Sequence, residues 1–134
     1  MMKYIALILV FLFLIACSEP PKSVKLENIK IVRDSYGVSH IMAKTDAEVA
    51  YGLAWAQCED DFITLQELMA ACKGVLGEIR GEEGVKADFA IKFMGLKAIA
   101  EAKYEKDVTG DFKNYLESYV DGVNNYAKLH PERV

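Results

Sequence analysis

The stretch Ile29–Ala43, Ile-Lys-Ile-Val-Arg-Asp-Ser-Tyr-Gly-Val-Ser-His-Ile-Met-Ala, decides the fold of this chain. Apolar residues recur in short β-type runs on both sides of the turn formers Asp34–Gly37, which predicts a hairpin of two short strands. Thr45 and Glu48 follow with the spacing of a capping box. A long helix is therefore expected to begin directly behind the hairpin.

Three helices are predicted after the hairpin. The first runs from Thr45 to about Lys73, where Gly74 provides a stop. Asp88 is placed to cap the second helix, and Thr109 is placed to start the third. We therefore expect an α+β chain that is mostly helical, with an N-terminal β-hairpin followed by three helices.

The first of these helices carries an apolar stripe at alternating steps of four and three residues, which indicates one face turned towards a core. Trp55 lies in the middle of the stripe and is expected to be buried, whereas Asp61 lies on the opposite, solvated side. Small residues on the same helix indicate that another backbone comes close. The stripe comprises Tyr51, Trp55, Cys58, Phe62, Leu65, Met69 and Cys72, and the small residues are Ala50, Gly52, Ala54 and Ala56.

Residues 1–17 have the composition of an export signal rather than of a folded segment. Lys3 precedes the apolar run Tyr4–Ile15. A helix over this run would span roughly 20 Å, less than the ~30 Å hydrocarbon core of a bilayer, which favours a signal peptide over a membrane span. The run ends in Leu14-Ile15-Ala16-Cys17, which resembles the lipobox of bacterial lipoproteins, where the cysteine becomes lipidated.

A lipid anchor on Cys17 would hold the chain on the periplasmic side of a bacterial membrane. The other interpretation is an ordinary cleaved signal in which Cys17 is incidental. Residues 18–27 contain Pro20-Pro21 and are interpreted as a polar tether, and residues 28–134 as the folded part.

The composition excludes several classes of function. A net charge of −4 lacks the basic footprint of a nucleic-acid-binding protein. Two His and three Cys show no metal-binding spacing, so no metal ligand is assigned. Cys58 and Cys72 would lie about 21 Å apart along one helix, too far for a disulfide, and both are expected to be buried free thiols.

Four motifs in a fixed order resemble the start of the α-chain of the penicillin acylase family. Arg33–Ile41 is similar to the family's Arg-Asp-x-x-Gly-x-Pro-His-Ile, with Ser39 in place of Pro. Tyr51–Trp55 resembles Tyr-Gly-x-Gly-Tyr. Asp60 matches the Asp of the family's Ala-Gln-Asp-Arg, and Asp61 replaces its Arg with the opposite charge.

The third motif, Gly74–Gly81, resembles Gly-x-x-Ala-Glu-x-x-Gly, and the fourth, Leu116–Asn124, resembles Leu-x-x-Tyr-x-x-Gly-x-Asn. Lys92 stands where the family often has Arg, four residues after Asp88. The acidic residue at Asp61 points away from the best-known penicillin-cleaving members. Acyl-homoserine-lactone acylases and related acyl-amide members are closer.

The resemblance implies the N-terminal α-chain portion of an N-terminal-nucleophile amidohydrolase, of penicillin amidase or acyl-homoserine-lactone acylase type. Such enzymes hydrolyse carbon–nitrogen bonds of linear amides other than peptide bonds, and their complete fold is a four-layer αββα sandwich. Their nucleophile is a Ser that self-cleavage exposes at the start of the β-chain, downstream of the four motifs. The implied partners are that β-chain, expected to approach Gly52, Ala54 and Ala56, and a small acyl-amide substrate.

The resemblance places no catalytic residue and no metal ligand in this chain, and its substrate-binding residues are unknown. Cys17, the lipidation site, is the one site residue assigned. No cofactor is assigned here, although the complete family fold can hold calcium through residues farther along.

The residues of this chain offer no local replacement for the missing nucleophile. Ser39 and His40 are adjacent on a strand and so point to opposite faces. Glu59–Asp61 fan out by about 100° per residue and do not converge on one ion, so they are interpreted as a solvated or capped acidic face, with a buried structural bond of Asp60 alone left open. The chain alone is expected to be inactive. The alternative to an amidohydrolase fragment is a stand-alone, non-catalytic helical lipoprotein that acts as a binding or scaffold module.

Overall fold

The computed structural model describes residues 24–134, so the predictions for residues 1–17 and for most of the tether lie outside the described part. This part is mostly helical, with one two-stranded antiparallel sheet. Its strands are β1 Lys30–Arg33 and β2 Ser39–Met42. Its helices are α1 Asp46–Lys73, α2 Gly77–Arg80, α3 Glu82–Phe93, α4 Leu96–Asp107 and α5 Gly110–Leu129, with 3₁₀ turns at Leu26–Asn28 and Pro131–Arg133.

The predicted hairpin is confirmed. Ile31 pairs with Ile41 and Arg33 with Ser39 in an antiparallel register. The hairpin lies on α1 at Gly52, because a Cβ added there would approach Ile41 Cγ2 to 2.8 Å and Ile29 Cγ2 to 3.0 Å. The sheet therefore packs against the first turns of the long helix.

The capping box that starts α1 is confirmed. Thr45 Oγ1 accepts from the amide of Glu48 at 3.2 Å, and the Glu48 carboxylate accepts from the amide of Thr45 at 3.2 Å. Gly74 ends the helix with a left-handed φ of 71°. Both ends of α1 thus follow from local sequence signals.

Helix α1 is broken in the middle by Asp61, whose φ of −153° and ψ of 78° are not helical. The carboxylate of this exposed residue accepts from the amide of Thr64 at 3.1 Å, as an N-cap does. The prediction that the Asp61 side chain is exposed to solvent is correct. The prediction did not include the role of Asp61 as the start of a second helical segment.

The core lies between α1 and α5. Its buried residues are Ala54, Cys58, Phe62, Val123 and Tyr126. A Cβ added at Gly122 would lie 2.7 Å from the Tyr51 carbonyl oxygen and 2.8 Å from Ala54 Cβ, so the two helices approach backbone to backbone.

Three expectations about α1 are corrected. Gly52 and Ala54 face the chain's own hairpin and α5, and Ala56 is buried as well, so these three residues are not available for a partner chain. Trp55 is half-buried and lies beside the core, while Cys58 is fully buried. Cys72 is exposed because it lies near the end of α1, outside the α1–α5 core.

Five helices replace the three predicted. Gly95, with φ of 64°, divides the predicted second helix into α3 and α4. Asp88 lies inside α3 and does not cap it. Its two carboxylate oxygens accept from the amides of Leu76 at 2.7 Å and Gly77 at 2.8 Å, so it caps the short helix α2 instead.

In the described part of the chain, hydrogen bonds to α1 already occur at Lys25, within the residues 18–27 interpreted as a tether. The Lys25 amide donates to Glu48 Oε1 at 3.3 Å, and Asn28 Nδ2 donates to the same atom at 2.7 Å. Among residues 24–134, no helix is sufficiently long and apolar to pass through a bilayer.

Candidate functional site

The first motif forms a closed turn around Asp34. Asp34 Oδ1 accepts from the amides of Tyr36 at 2.9 Å and Val38 at 3.0 Å, and the Gly37 amide donates to the Asp34 carbonyl at 3.0 Å. His40 Nε2 lies 3.1 Å from Asp34 Oδ2. This contact with His40, followed by the backbone donors, lowers the pKa of Asp34. The Asp-x-x-Gly-x-x-His spacing of the motif therefore builds the turn.

Arg33 connects this turn to α1. Its guanidinium donates to the Gly37 carbonyl at 3.1 Å and lies 3.1 Å from Glu59 Oε2 and 2.7 Å from Asp60 Oδ1. Asp60 and then Glu59 raise the pKa of Arg33. The interpretation of Glu59–Asp61 left open a buried structural bond of Asp60 alone. The bond that the structure shows is instead an exposed ion pair with Arg33, and Glu59 shares it. The sequence did contain a signal for this ion pair, because Arg33 and Asp60 belong to two neighbouring motifs.

Glu48 organises the other end of the hairpin. It is 3% exposed and accepts from Asn28 Nδ2 and from the amides of Lys25, Lys44 and Thr45. The hydrogen bond from Asn28 is the largest of the causes that lower its pKa. This carboxylate is therefore held ionised. It fixes the backbone on both sides of the hairpin, before β1 and between β2 and α1.

Two glycines allow close packing around α2: Gly77 in the third motif and Gly84, three residues after it. A Cβ added at Gly84 would lie 2.5 Å from the backbone of Leu76, and one added at Gly77 would lie 2.9 Å from Val85 Cγ2. Asp88, which is 8% exposed, holds the same backbone through the two amides described above. The motif thus builds a tight corner after α1.

The fourth motif and Asn125, the residue that follows it, contribute α5 side chains that bind α1. Tyr119 donates its hydroxyl to Gln57 Oε1, and Asn125 Nδ2 donates to the Tyr51 hydroxyl at 3.2 Å. Gly122 allows the close approach of the two helices. The second and fourth motifs are therefore the two sides of one helix–helix contact.

The described residues do not assemble a nucleophile and a base. Ser39 Oγ is buried without a hydrogen-bond partner, and the neighbouring His40 points to the opposite face, against Asp34. Burial raises the pKa of Cys58, so this thiol stays protonated near neutral pH. No group of three or more metal-ligating side chains occurs within residues 24–134. The motifs in this part of the chain hold the fold together.

Two open grooves lie on the surface. One, of about 370 Å³, lies between the hairpin and α1, and one, of about 280 Å³, lies between α1 and α5. In the first groove the only acidic side chain, Glu59, already accepts from Trp55 Nε1 at 3.0 Å and pairs with Arg33. Neither groove brings together groups for covalent chemistry. The first is lined by Leu26, Ile29, Ile31, Tyr51, Gly52, Trp55, Glu59 and Leu129, and the second by Asp46, Val49, Asp111, Phe112 and Tyr115.

Comparison with known proteins gives a consistent result. The sequence model of the penicillin amidase family matches residues 28–134. The chain is 24% identical over 98 residues to the penicillin acylase 2 proenzyme of Pseudomonas sp. strain SE83, and 29% identical over 100 residues to the penicillin G acylase of Escherichia coli. These matches cover 73% and 72% of this chain but only 12% and 11% of the relatives.

The fold is similar to that of a thermostable penicillin G acylase from Alcaligenes faecalis, with a TM-score of 0.65 at 21% identity. The match covers 79% of this chain and 57% of the solved chain. The chain spans about an eighth of the curated relatives' length. Through residues 28–134, this chain belongs to the penicillin amidase family.

Proposed function

We propose that this chain is the N-terminal α-chain portion of a membrane-anchored amidohydrolase that cleaves the amide bond of N-acylated small molecules. The observation that supports it most is the family match through residues 28–134, in which the four motifs build the hairpin, the corner after α1 and the α1–α5 contact. In the complete precursor these elements would form one edge of the four-layer αββα fold. The chain would serve that fold as a scaffold.

The proposed chemistry is carried by an N-terminal Ser of a β-chain from the same precursor. Amide hydrolysis needs a nucleophile, a base and donors for the oxyanion, and the α-amine of such a Ser has an ordinary pKa near neutrality. The proposed substrates are acyl-homoserine lactones, penicillin-like compounds or related acyl amides. Calcium would be held, if at all, by the complete fold.

Co-expression of this chain with the remainder of the same precursor, including its β-chain, tests the proposal. Turnover of an acyl-homoserine lactone or a phenylacetyl amide is expected only when both pieces are present. Reading the frame that follows the codon of Val134 identifies that partner, since a small residue followed by Ser-Asn is expected at the cleavage site. Turnover by this chain alone, abolished by mutating one of its own residues, would contradict the proposal.

The anchor is proposed at Cys17, with the body on the periplasmic side. Mass spectrometry of the expressed protein should find an acylated N-terminal cysteine, and Cys17→Ser should release the chain from the membrane. An unmodified product, or unchanged membrane attachment of the variant, would rule out this part of the proposal without affecting the hydrolase part.

A second candidate function is a stand-alone helical lipoprotein without catalysis. The observation in its favour is that Gly52 and Ala54 pack against this chain's own hairpin and α5. A chain of this kind would unfold on its own in a sharp transition at high temperature, and the β-chain would not change its Tm. The α-chain proposal predicts a low Tm that rises when the β-chain binds.

A further inference from the structure

An aromatic corner stands out on the surface of the described chain: residues 85–97, from the middle of α3 to the start of α4. Val85, Phe89 and Phe93 follow at steps of four along α3, with exposures of 55%, 69% and 81%. The rings of Phe89 and Phe93 stack at 5.9 Å between centroids. Met94 and Leu96 continue the apolar surface through the turn. Exposed apolar patches of this kind commonly mark interaction sites.

The corner projects from the body of the protein. The inner side of α3 is held through Asp88 and Gly84, which contact the backbone of Leu76 and Gly77. The turn at Gly95 then directs α4 away, and α4 contains no buried residue. Phe89 and Phe93 therefore form an outer edge that no other described element covers.

The charge on this corner differs in sign from that of the whole chain. Lys86 and Lys97 are exposed beside this edge. Lys92 is also exposed, but its stem lies near Gly74 on the inner side of α3. The one acidic residue in the segment, Asp88, is turned inward onto backbone amides. Glu82 and Glu83 lie at the far end of α3, and Glu101, one turn along α4, lies 3.7 Å from the Lys97 ammonium. The apolar edge is thus flanked by two lysines, Lys86 and Lys97, in a protein of net charge −4.

We propose that this aromatic corner docks on the surface of an anionic lipid bilayer, with Phe89 and Phe93 entering the interface and the lysines meeting the headgroups. Aromatic and aliphatic side chains rimmed by lysine are the composition of interfacial membrane-binding segments. A lysine close to an anionic surface is attracted to it electrostatically. Interfaces between proteins are, by contrast, depleted in lysine. The proposal goes beyond the function proposed above and stands whether or not Cys17 is lipidated.

Tryptophan fluorescence of the full chain reconstituted in vesicles tests the proposal. The chain contains one tryptophan, Trp55, so Phe93→Trp adds a reporter whose signal is read against the parent. Phe112→Trp is the matched control, because Phe112 is 59% exposed on α5, outside the corner. Both variants keep an aromatic residue at an exposed site, and circular dichroism confirms that they fold as the parent does.

In vesicles of phosphatidylcholine with phosphatidylglycerol, the added tryptophan of Phe93→Trp should shift to shorter wavelength and lose emission when the acyl chains are brominated. Vesicles of phosphatidylcholine alone, high salt, or the further changes Lys86→Gln and Lys97→Gln should weaken both effects. The control variant should show neither effect.

Two results would overturn the proposal. The first is equal quenching of the control, since the whole body would then lie near the bilayer without preference for the corner. The second is emission from Phe93→Trp that brominated lipid does not quench. If this unquenched emission is also unshifted, the aromatic corner lies in water. If it is shifted to shorter wavelength, the corner lies against polypeptide, either a second copy of the chain or the rest of the precursor.

Discussion

Asp61 interrupts α1 and caps the segment that follows, although its side chain is exposed. Replacing it with alanine removes the acceptor for the Thr64 amide, so Asp61→Ala should lower the Tm by roughly 4–8 °C. Asp61→Asn is the control, since asparagine is an equally good N-cap and should retain the parental Tm. Thermal unfolding followed by circular dichroism measures both. Equal melting of Asp61→Ala and the parent would mean that the break in α1 does not depend on this cap.

Trp55 and Phe62 lie one above the other on α1 but differ in burial. Phe62 is 2% exposed, whereas Trp55 is half-buried, with its ring 5.2 Å from that of Tyr126. We expect Phe62→Ala to cost ~3–5 kcal/mol and Trp55→Ala about 2 kcal/mol, because less of the indole leaves a packed environment. Urea unfolding of the two variants gives the comparison. A larger loss for Trp55→Ala would place the centre of the core nearer the hairpin.

At the level of elements, the hairpin can be strengthened at Ser39. The Asp34 amide donates to the Val38 carbonyl at 3.1 Å, and antiparallel pairs alternate, so the next pair, Arg33–Ser39, is not hydrogen-bonded. The Ser39 amide therefore faces away from β1, and its hydroxyl is buried without a partner. Ser39→Pro, the residue of the family motif, should raise the stability by ~0.4–1 kcal/mol.

Met42→Pro is the control for this prediction, because the pair Lys30–Met42 belongs to the hydrogen-bonded set. Proline there removes a ladder donor, so this variant should be less stable than the parent. Relative to the parent, the Tm of Ser39→Pro should rise and that of Met42→Pro should fall in thermal unfolding. Destabilisation by both would show that the register differs from the one described.

The contact between α1 and α5 depends on Gly122. Alanine favours helix over glycine by about 1 kcal/mol, but its Cβ at this position would lie 2.7 Å from the Tyr51 carbonyl oxygen. We therefore expect Gly122→Ala to be destabilising despite its better propensity. Asn124→Ala, on the exposed side of the same helix, should be neutral or slightly stabilising. Chemical denaturation of the two variants shows whether the close helix–helix contact or the helix propensity of alanine decides the stability at position 122.

The elements that were predictable are those with signals within a few residues. The hairpin, the capping box at Thr45 and the stop at Gly74 each depend on neighbours in sequence. The role of Asp88 is not predictable from its neighbours in sequence, because its carboxylate caps α2 although the residue itself belongs to α3. Only the folded backbone shows which amide groups this carboxylate accepts from. The burial of Trp55 was overestimated for a similar reason, since a stripe gives the direction of a face but not the place where the partner helix crosses it.

For the whole molecule, the buried and paired carboxylates predict loss of stability in acid. The pKa values of Asp34, Glu48 and Asp61 are lowered on folding from ordinary values of 3.8, 4.5 and 3.8, through His40, Asn28 and Thr64 respectively. A group with a lowered pKa stabilises the folded state above its unfolded pKa, and this contribution disappears as the pH falls through the folded pKa.

The Tm should therefore be flat near neutrality and fall progressively below about pH 5. Glu48→Gln keeps the size and an acceptor at this buried position but cannot titrate, so its Tm should fall less over the same range. Scanning calorimetry at a series of pH values measures both profiles. Parallel profiles would mean that Glu48 contributes no acid sensitivity.

Because α1 and α5 are far apart in sequence, α1 is synthesised several seconds before the helix that covers it. Asn125 meets Tyr51 across 74 residues, and Gln66 meets Arg133 across 67. A ribosome adding 5–20 residues per second takes roughly 4–15 s to make that stretch. Once Lys73 has been added, and for the rest of this interval, the face of α1 around Phe62 is complete but uncovered by α5. The nascent chain is then a natural client for a holding chaperone, and the risk of aggregation falls only once α5 has emerged.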